Sequence, residues 1–417
     1  MKTAHSAPAN QGMTRREGLL SLLGTALALA GCGGGGGIAG VSSGGTGSFS
    51  VGAITGFGSV IVNGVRFDDS NASVLDDDGI ARSRNDLKLG MVVRVRGSSI
   101  SSDPSGRSAR ADSITFGGEL LGPISSVSPS ARTLVVLGQT VQVMNTTIFE
   151  DGLSSDLGAL DLLVRASTPA APVVIEVNGF VDPALNRINA TRIELRNRPD
   201  LYRIEGLVRN FNAATKTFNI GTLAIRFDAT TDVRVTLDNS GTVLARVRLL
   251  AEVPAPAVFF ARRIRPPEEA VEDRDEAEVE GTITAFNPAT PAQFSVNGLP
   301  INASGVSLPA GLNVGVRVEV KGRVVNGVLV ASEVKLEDQA KIDAQEFELR
   351  GAISNLNTTL KTFVLRGVTV SFAGAVVFVN GTEADLANNA KNQNVEVRGV
   401  AAINGTGISA TRISFQN

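Results

Sequence analysis

The sequence predicts an all-β protein, a tandem array of about five small antiparallel five-stranded barrels. Three observations predict it. Short segments alternate apolar and polar residues, glycine, asparagine or proline separates them, and the same order of segments recurs along the chain. Alternation with a period of two between tight-turn residues is typical of half-buried strands.

The clearest copy of the repeat runs from Gly281 to Leu336 and reads GTITAF, FSVNGLPIN, LNVGVRVEVKG and VLVASEVKL in turn. Its opening marker is a glycine, one variable residue, then isoleucine or valine, at Gly52, Gly122, Gly206, Gly281 and Gly351. A second strand then ends near a glycine, at Gly64, Gly138, Gly221, Gly298 and Gly367. The closing strand begins with alanine and has an apolar residue three positions later, as in Ala111/Ile114, Ala190/Ile193, Ala261/Ile264, Ala331/Val334 and Ala410/Ile413.

These markers delimit five β repeats, at 50–116, 118–195, 205–264, 279–337 and 348–417. The third is degenerate, because it lacks the glycine of the fourth strand around Arg246–Glu252. Roughly five strands in about 60–80 residues fit a small barrel. A non-strand segment precedes the fourth strand, as in SRNDLKLG, and residues 153–165 have helical spacing. This order predicts an OB-like barrel, with an SH3-like barrel as the alternative.

The pattern GxITxF…FxVNG…LxxGxxVxVxG…AxxIxF resembles the repeat known as domain of unknown function 5666 over nearly all of residues 50–415. That repeat is found in tandem in exported bacterial proteins, often lipoproteins. The resemblance therefore implies a fold and a compartment. It implies no catalytic residues, because the family has no assigned activity.

The N-terminus predicts export and lipid attachment, with a signal peptide over 1–31. Arg15 and Arg16 precede a short apolar core, and Leu29-Ala30-Gly31-Cys32 matches a lipobox, after which Cys32 would be acylated. The arginine pair leaves twin-arginine and general secretion both open. Residues 32–47 then form a glycine-rich tether. Gly33 after the cysteine favours the outer membrane, on its periplasmic or surface face, so the first expected partner is the lipid bilayer.

Composition excludes most catalytic chemistry. The only histidine is His5, the only cysteine is Cys32, and the chain has no tryptophan. Ser-His-Asp and Cys-His catalysis need an imidazole, and most transition-metal sites need imidazole or thiolate ligands. We therefore predict no catalytic residue, no metal site and no cofactor, and assign a functional role only to Cys32, as the lipidation site.

Carboxylate chemistry remains possible on composition. The densest acidic cluster is Asp76-Asp77-Asp78-Gly79, close to Asp68 and Asp69. It lacks the alternate spacing of a calcium loop, and Asp-Gly between short apolar segments indicates a hairpin turn. The acidic segment 265–278 is interpreted as a solvated linker.

Nucleic-acid binding is not expected, although OB-like barrels elsewhere bind single strands through aromatic residues in a basic groove. The net charge is −2 and aromatic residues make up 5% of the chain. The basic stretch Arg262–Arg265 is short. The recurring phenylalanines are expected in the core, at Phe57, Phe211 and Phe286 in the first strand and at Phe218, Phe294 and Phe363 in the second.

Together these observations predict a membrane-anchored lipoprotein that is a non-enzymatic binding or structural module of the cell envelope. Its partner would be a polysaccharide or an envelope protein. A carboxylate-dependent polysaccharide hydrolase and a calcium-dependent adhesin are the alternatives.

Overall fold

A computed structural model describes residues 47–104, 106–150, 153, 155–197, 199–252, 254–267, 271–402 and 406–416. The predicted signal peptide, Cys32 and the tether up to residue 46 lie outside the described residues. Among the described residues, no helix has the length and apolar character required to cross a lipid bilayer.

The described residues form five barrels in chain order. Barrel 1 comprises β1 (Ser48–Phe57), β2 (Val60–Val62), β3 (Val65–Asp68), β4 (Ser73–Asp76), β5 (Ala81–Arg82), a 3-10 helix (Arg84–Asp86), β6 (Val92–Gly97), β7 (Ser101–Asp103) and β8 (Gly106–Phe116). Barrel 2 comprises β9 (Leu120–Ser128), β10 (Thr133–Val136), β11 (Gln139–Phe149), α1 (Leu157–Ala166), β12 (Val174–Asp182) and β13 (Arg187–Leu195). Barrel 3 comprises β14 (Leu201–Asn212), β15 (Thr217–Ile220), β16 (Leu223–Arg226), β17 (Asp232–Val233), β18 (Leu244–Leu250) and β19 (Phe259–Arg265).

Barrel 4 comprises β20 (Arg274–Phe286), β21 (Gln293–Val296), β22 (Leu299–Asn302), β23 (Arg317–Val325) and β24 (Val328–Leu336), and α2 (Gln339–Asp343) follows it. Barrel 5 comprises β25 (Phe347–Gly351), β26 (Ile353–Asn357), β27 (Thr362–Leu365), β28 (Val368–Ser371), β29 (Val377–Val379), a 3-10 helix (Glu383–Ala387), β30 (Val395–Ala401) and β31 (Ile408–Phe415).

Every barrel closes in the same way, by five principal strands in the order 1-2-3-5-4-1. In barrel 4, β20 pairs with β21 and β21 with β22; β22 then runs parallel to β24, which pairs with β23, and β23 pairs back with β20. A parallel third–fifth pair beside an otherwise antiparallel sheet gives the five-stranded topology of the OB fold. The prediction of tandem five-stranded barrels is confirmed, and the strand order favours the OB-like form over the SH3-like one.

The repeat glycines have two structural roles. Asn63 and Gly64 both have positive φ, +50° and +71°, in the two-residue turn between β2 and β3, as a type I′ hairpin requires. At the opening marker, a Cβ on Gly281 would lie 2.1 Å from the Asn297 side chain of the corresponding turn in barrel 4. The two markers recur together because the first glycine makes room for the turn that carries the second.

A third glycine lies at a bulge in the fourth strand. In barrel 4 the register shifts between Lys321 and Gly322, which faces Ala331 of β24. A Cβ on Gly322 would lie 2.1 Å from the Val330 carbonyl oxygen. Such a bulge bends the strand and helps a small barrel close. Barrel 3 keeps the register shift at Leu249, opposite Ala261, although it lacks the glycine.

The described residues of the five barrels pack as one compact unit. Strand β1 joins barrel 1 to two other barrels, because it pairs in parallel with β20 of barrel 4 and with β25 of barrel 5. Barrels 2 and 3 share one continuous apolar core, and barrels 1 and 5 share another.

The second-strand phenylalanines Phe218, Phe294 and Phe363 are buried, which confirms their predicted core role. The first-strand phenylalanines are only partly buried and pack against the edges of the cores: Phe57, Phe211 and Phe286.

The acidic segment 265–278 is a linker only in part, which corrects the prediction. Arg265 ends β19 and residues 274–278 begin β20. Ala277 and Glu278 are buried there. Residues 277–280 (AEVE) alternate apolar and charged residues, so a strand can bury Ala277 while its outward carboxylates contact cations on other barrels. The predicted helical insertion at 153–165 is confirmed by α1.

Candidate functional site

The acidic cluster that the sequence singled out forms the turn between β4 and β5. The Asp76 carboxylate accepts hydrogen bonds from the backbone N–H of Asp78 (3.0 Å) and of Ile80 (2.9 Å). Its other oxygen lies 2.6 Å from the Arg82 guanidinium, and Gly79 has φ +79°. The turn interpretation is therefore confirmed.

The tip of this turn also has a long-range role, because the Asp77 carboxylate enters a group of arginines on barrel 3. It lies 2.6 Å from Arg248, 3.0 Å from Arg246 and 3.3 Å from Arg265. Asp77 is only 8% exposed. Burial by itself raises the pKa of this carboxyl, but the nearby guanidinium groups outweigh burial and hold the pKa well below its usual range.

Asp78 extends the contact toward the outer edge of barrel 3. Its carboxylate lies 2.8 Å from Arg248 and 2.7 Å from Arg263. We call the set of Asp77, Asp78, Arg203, Arg246, Arg248, Arg263 and Arg265 the arginine cluster. It attaches the β4–β5 hairpin of barrel 1 to strands β14, β18 and β19 of barrel 3.

Two buried glutamates lie behind the cluster. Glu205 is 2.7 Å from Arg246, whereas Glu119 of barrel 2 is 3.9 Å from it and accepts a hydrogen bond from the Gly179 N–H at 2.7 Å. Burial, reinforced by the charge of Glu205, raises the pKa of Glu119 to about 8. Glu119 therefore favours the protonated form at neutral pH.

The position three residues before the opening glycine joins barrels throughout the array. In barrel 4 it is Glu278, whose carboxylate lies 2.6 Å from Arg107 of barrel 1. In barrel 5 it is Glu348, which accepts two hydrogen bonds from Arg66 of barrel 1, at 2.7 and 2.8 Å. In barrels 2 and 3 the position holds Glu119 and Arg203, and only barrel 1 has an apolar residue there, Phe49.

The barrel 4 member of this series forms a carboxylate pair with a neighbour. Glu278 and Glu319 share a hydrogen bond, and the Lys321 ammonium lies 3.0 Å from the first and 3.1 Å from the second. Burial and then this hydrogen bond raise the pKa of Glu319 to about 7. Burial by itself raises the pKa of Glu278, but hydrogen bonds from Glu319, Arg107 and Lys321 outweigh burial and lower it. Glu319 is therefore the more readily protonated carboxyl of the two.

Two clefts open beside the arginine cluster. The larger, of about 660 Å³, lies between barrels 1, 2 and 3 and has a mixed lining that includes Asp86, Glu150, Glu176, Arg196 and Arg203. The smaller, of about 290 Å³, lies between β6 of barrel 1 and β19 of barrel 3, and arginine is the commonest residue in its lining. Within the described ranges no group of three or more acidic, histidine or cysteine side chains is arranged to hold a metal ion.

The structure places some of the residues that the sequence singled out, but not all of them. Cys32 lies outside the described residues, and its lipidation stays a prediction. Asp76, Asp77 and Asp78 come together with arginines, and Arg263 and Arg265 of the short basic stretch are among their partners. The sequence analysis did not predict the other arginines of the cluster, Arg203, Arg246 and Arg248. The signal that could have found two of them is the alternation in β18, where Arg246 and Arg248 occupy the outward positions and apolar residues occupy the inward ones.

The fold and these interfaces define an all-β protein of five tandem OB-like barrels joined by ion pairs. Three segments, residues 122–194, 280–335 and 350–414, match the family described as Domain of unknown function (DUF5666). These three segments are therefore similar to repeats of this domain family. The matched segments coincide with barrels 2, 4 and 5, and barrels 1 and 3 have the same strand order. No curated protein matches the chain.

Proposed function

We propose that the chain is a membrane-anchored lipoprotein and that its barrels form a non-enzymatic binding or structural module of the cell envelope. The observation that supports the proposal best is the series of ion pairs at one repeat position. Glu278 and Glu348 both pair with arginines of barrel 1, and Arg203 pairs with Asp77. Each of these charged groups is used to hold barrels together, which suits a rigid body.

The anchor is Cys32, which a lipobox precedes and a glycine-rich tether follows. A coil of this length has a root-mean-square reach of roughly 20 Å, so the array would stand close to the lipid surface. Gly33 favours the outer membrane. The proposed partner is a polysaccharide or another envelope protein on the periplasmic or surface face.

Metabolic labelling tests the anchor. The full chain, expressed in a bacterium with a lipoprotein pathway, should incorporate labelled palmitate and sediment with the outer membrane. Cys32→Ser should abolish the label and release the chain into the soluble fraction. A Cys32→Ser chain that still sediments with the membrane would contradict lipid anchorage.

A carboxylate-dependent polysaccharide hydrolase is the second candidate, and the Glu278–Glu319 pair is what favours it. A glycosidase uses one protonated and one ionised carboxyl, and this pair holds one proton. Against this, Glu278 is buried at 2% exposure and already paired with Arg107 and Lys321. Release of reducing sugar from envelope polysaccharide, lost in Glu319→Gln, would favour the hydrolase over the binding module.

A further inference from the structure

The smaller cleft beside the arginine cluster has an excess of positive charge. Six guanidinium groups and three carboxylates line it. The arginines are Arg94 and Arg96 of β6, Arg246 of β18, Arg263 and Arg265 of β19, and Arg234, and the carboxylates are Asp76, Asp77 and Asp78. The two walls come from different barrels, so the cleft exists only because barrels 1 and 3 pack together.

The three carboxylates are already shared among other cations. Asp76 pairs with Arg82 on its own hairpin. Asp77 and Asp78 both contact Arg248, which is outside the lining of this cleft. Outside the lining, Asp232 in turn pairs with Arg263 and Arg234, and Glu205 pairs with Arg246.

Barrel 1 lacks the carboxylates that neutralise the same strand in other barrels. The first and fourth strands of each barrel pair with one another. In this pairing Glu205 lies opposite Arg246 in barrel 3, and Glu278 lies opposite Lys321 in barrel 4. In barrel 1 the residues that face Arg94 and Arg96 are Val51 and Phe49, and both pack into the core of barrel 4.

Arg96 is left without a protein partner as a result. Its Nε is buried and makes no hydrogen bond, and in the part of the chain that the structure describes Arg96 forms no ion pair. Arg96 is half-buried, and a guanidinium partly removed from water without a counter-charge is costly. Burial first, and then the neighbouring charge of Arg203, lower the pKa of Arg248 to about 10, as expected where positive charge is crowded.

We propose that this cleft binds a phosphate or sulfate monoester, with Arg96 as its principal donor and Arg263, which Asp78 and Asp232 also contact, as the second. Guanidinium groups bind such tetrahedral anions through paired, charge-assisted hydrogen bonds. The cleft volume of about 290 Å³ leaves room for the group that carries the anion. The inference rests on the binding role proposed above and names its ligand class, but it does not depend on the lipid anchor.

Titration calorimetry with the purified full chain tests the site. Inorganic phosphate, sulfate and glucose 1-phosphate are the probes, and glucose is the uncharged control. We expect saturable binding of the anions that weakens as salt concentration rises, and none of glucose. Arg96→Gln and Arg263→Gln should each weaken binding about tenfold or more, whereas Arg96→Lys, which keeps the charge, should weaken it less.

Arg323→Gln is the matched control, because Arg323 is exposed on β23, away from the cleft. It should bind like the natural chain. Thermal unfolding of every variant shows that each is folded before its affinity is compared. No saturable binding of any anion, or equal binding by Arg96→Gln and the natural chain, would overturn the proposal.

Vesicles identify the source of the anion. Binding to vesicles that contain phosphatidic acid but not to neutral ones, lost in Arg96→Gln, would assign a lipid phosphate. Binding of glucose 1-phosphate without vesicle binding would assign a soluble or glycan-borne monoester. The palmitate label on Cys32 is measured independently, so a failure of anion binding is distinguishable from a failure of membrane anchorage.

Discussion

The Asp77 carboxylate of barrel 1 lies 2.6 Å from the Arg248 guanidinium of barrel 3, 171 residues further along the chain. The contact places the tip of a two-stranded hairpin inside an interface between barrels. Because Asp77 also serves Arg246 and Arg265, one acidic side chain compensates much of the positive charge that barrel 3 buries. It is the first residue whose removal should be tested.

Asp77→Asn should destabilise the protein by about 3 kcal/mol. The variant keeps the volume of the side chain but replaces one acceptor oxygen with an NH2 donor and leaves buried guanidinium groups without their counter-charge. Breaking a buried pair in this way typically costs 3–5 kcal/mol. Urea unfolding followed by circular dichroism measures the change. Asp112→Asn is the control, because Asp112 is 53% exposed in its pair with Arg110, and it should change stability by about 0.5 kcal/mol or less.

The same variant should respond differently to acid. The folded-state pKa of Asp77 is lowered, so its contribution to stability is present above its ordinary value of 3.8 and is lost as the pH falls below it. The natural chain should therefore lose stability between about pH 5 and pH 2 more steeply than Asp77→Asn. Parallel slopes for the two chains in this window would contradict the buried ion pair.

Glu119→Gln should remove a loss of stability at alkaline pH. The folded-state pKa is raised to about 8 from 4.5, so the folded protein holds a proton that the unfolded chain has lost. Stability therefore falls as pH rises between those values, by up to about 1.4 kcal/mol per pH unit. The glutamine variant, which is neutral throughout, should become more stable relative to the natural chain from pH 5 to pH 8. Urea unfolding at each pH measures the difference, and a constant difference would be evidence against a protonated Glu119.

Arg66 and Glu348 should be energetically coupled. Their two hydrogen bonds of 2.7 and 2.8 Å join barrels 1 and 5, and both side chains are at least three-quarters buried. A double-mutant cycle with Arg66→Ala and Glu348→Ala should give a coupling of about 1–2 kcal/mol. The same cycle on the exposed pair Arg110 and Asp112 should give less than about 1 kcal/mol, so equal couplings would argue against a structural role for the first pair.

Gly322→Ala should destabilise barrel 4 by about 1–3 kcal/mol. A Cβ at this bulge would lie 2.1 Å from the Val330 carbonyl oxygen, so the two strands must separate. Gly305 is the control in the same barrel, because a Cβ there meets nothing within 4 Å. Thermal unfolding that affects Gly322→Ala and Gly305→Ala equally would show that the bulge does not require glycine.

Much of the fold was predictable because it depends on short-range chemistry. The turn Asn63-Gly64 and the bulge at Gly322 are encoded by the residues that adopt them, and alternation assigns one face of each strand to the core. Segment 274–278 was the exception. Its charge suggests exposure to solvent, the alternation typical of a strand begins only at Ala277, and one of the two cations that pair with Glu278 lies 171 residues earlier, at Arg107.

By itself, the sequence determined five barrels and the β4–β5 turn, since hairpins depend on neighbouring residues, but it left the OB-like and SH3-like strand orders open. Only the tertiary structure decided which outward charges meet. Asp77 could be identified as a turn residue from its neighbours, but its insertion among Arg246, Arg248 and Arg265 depends on how barrel 1 packs against barrel 3. An ion pair across an interface requires two surfaces to be placed in space, and no local pattern encodes that placement.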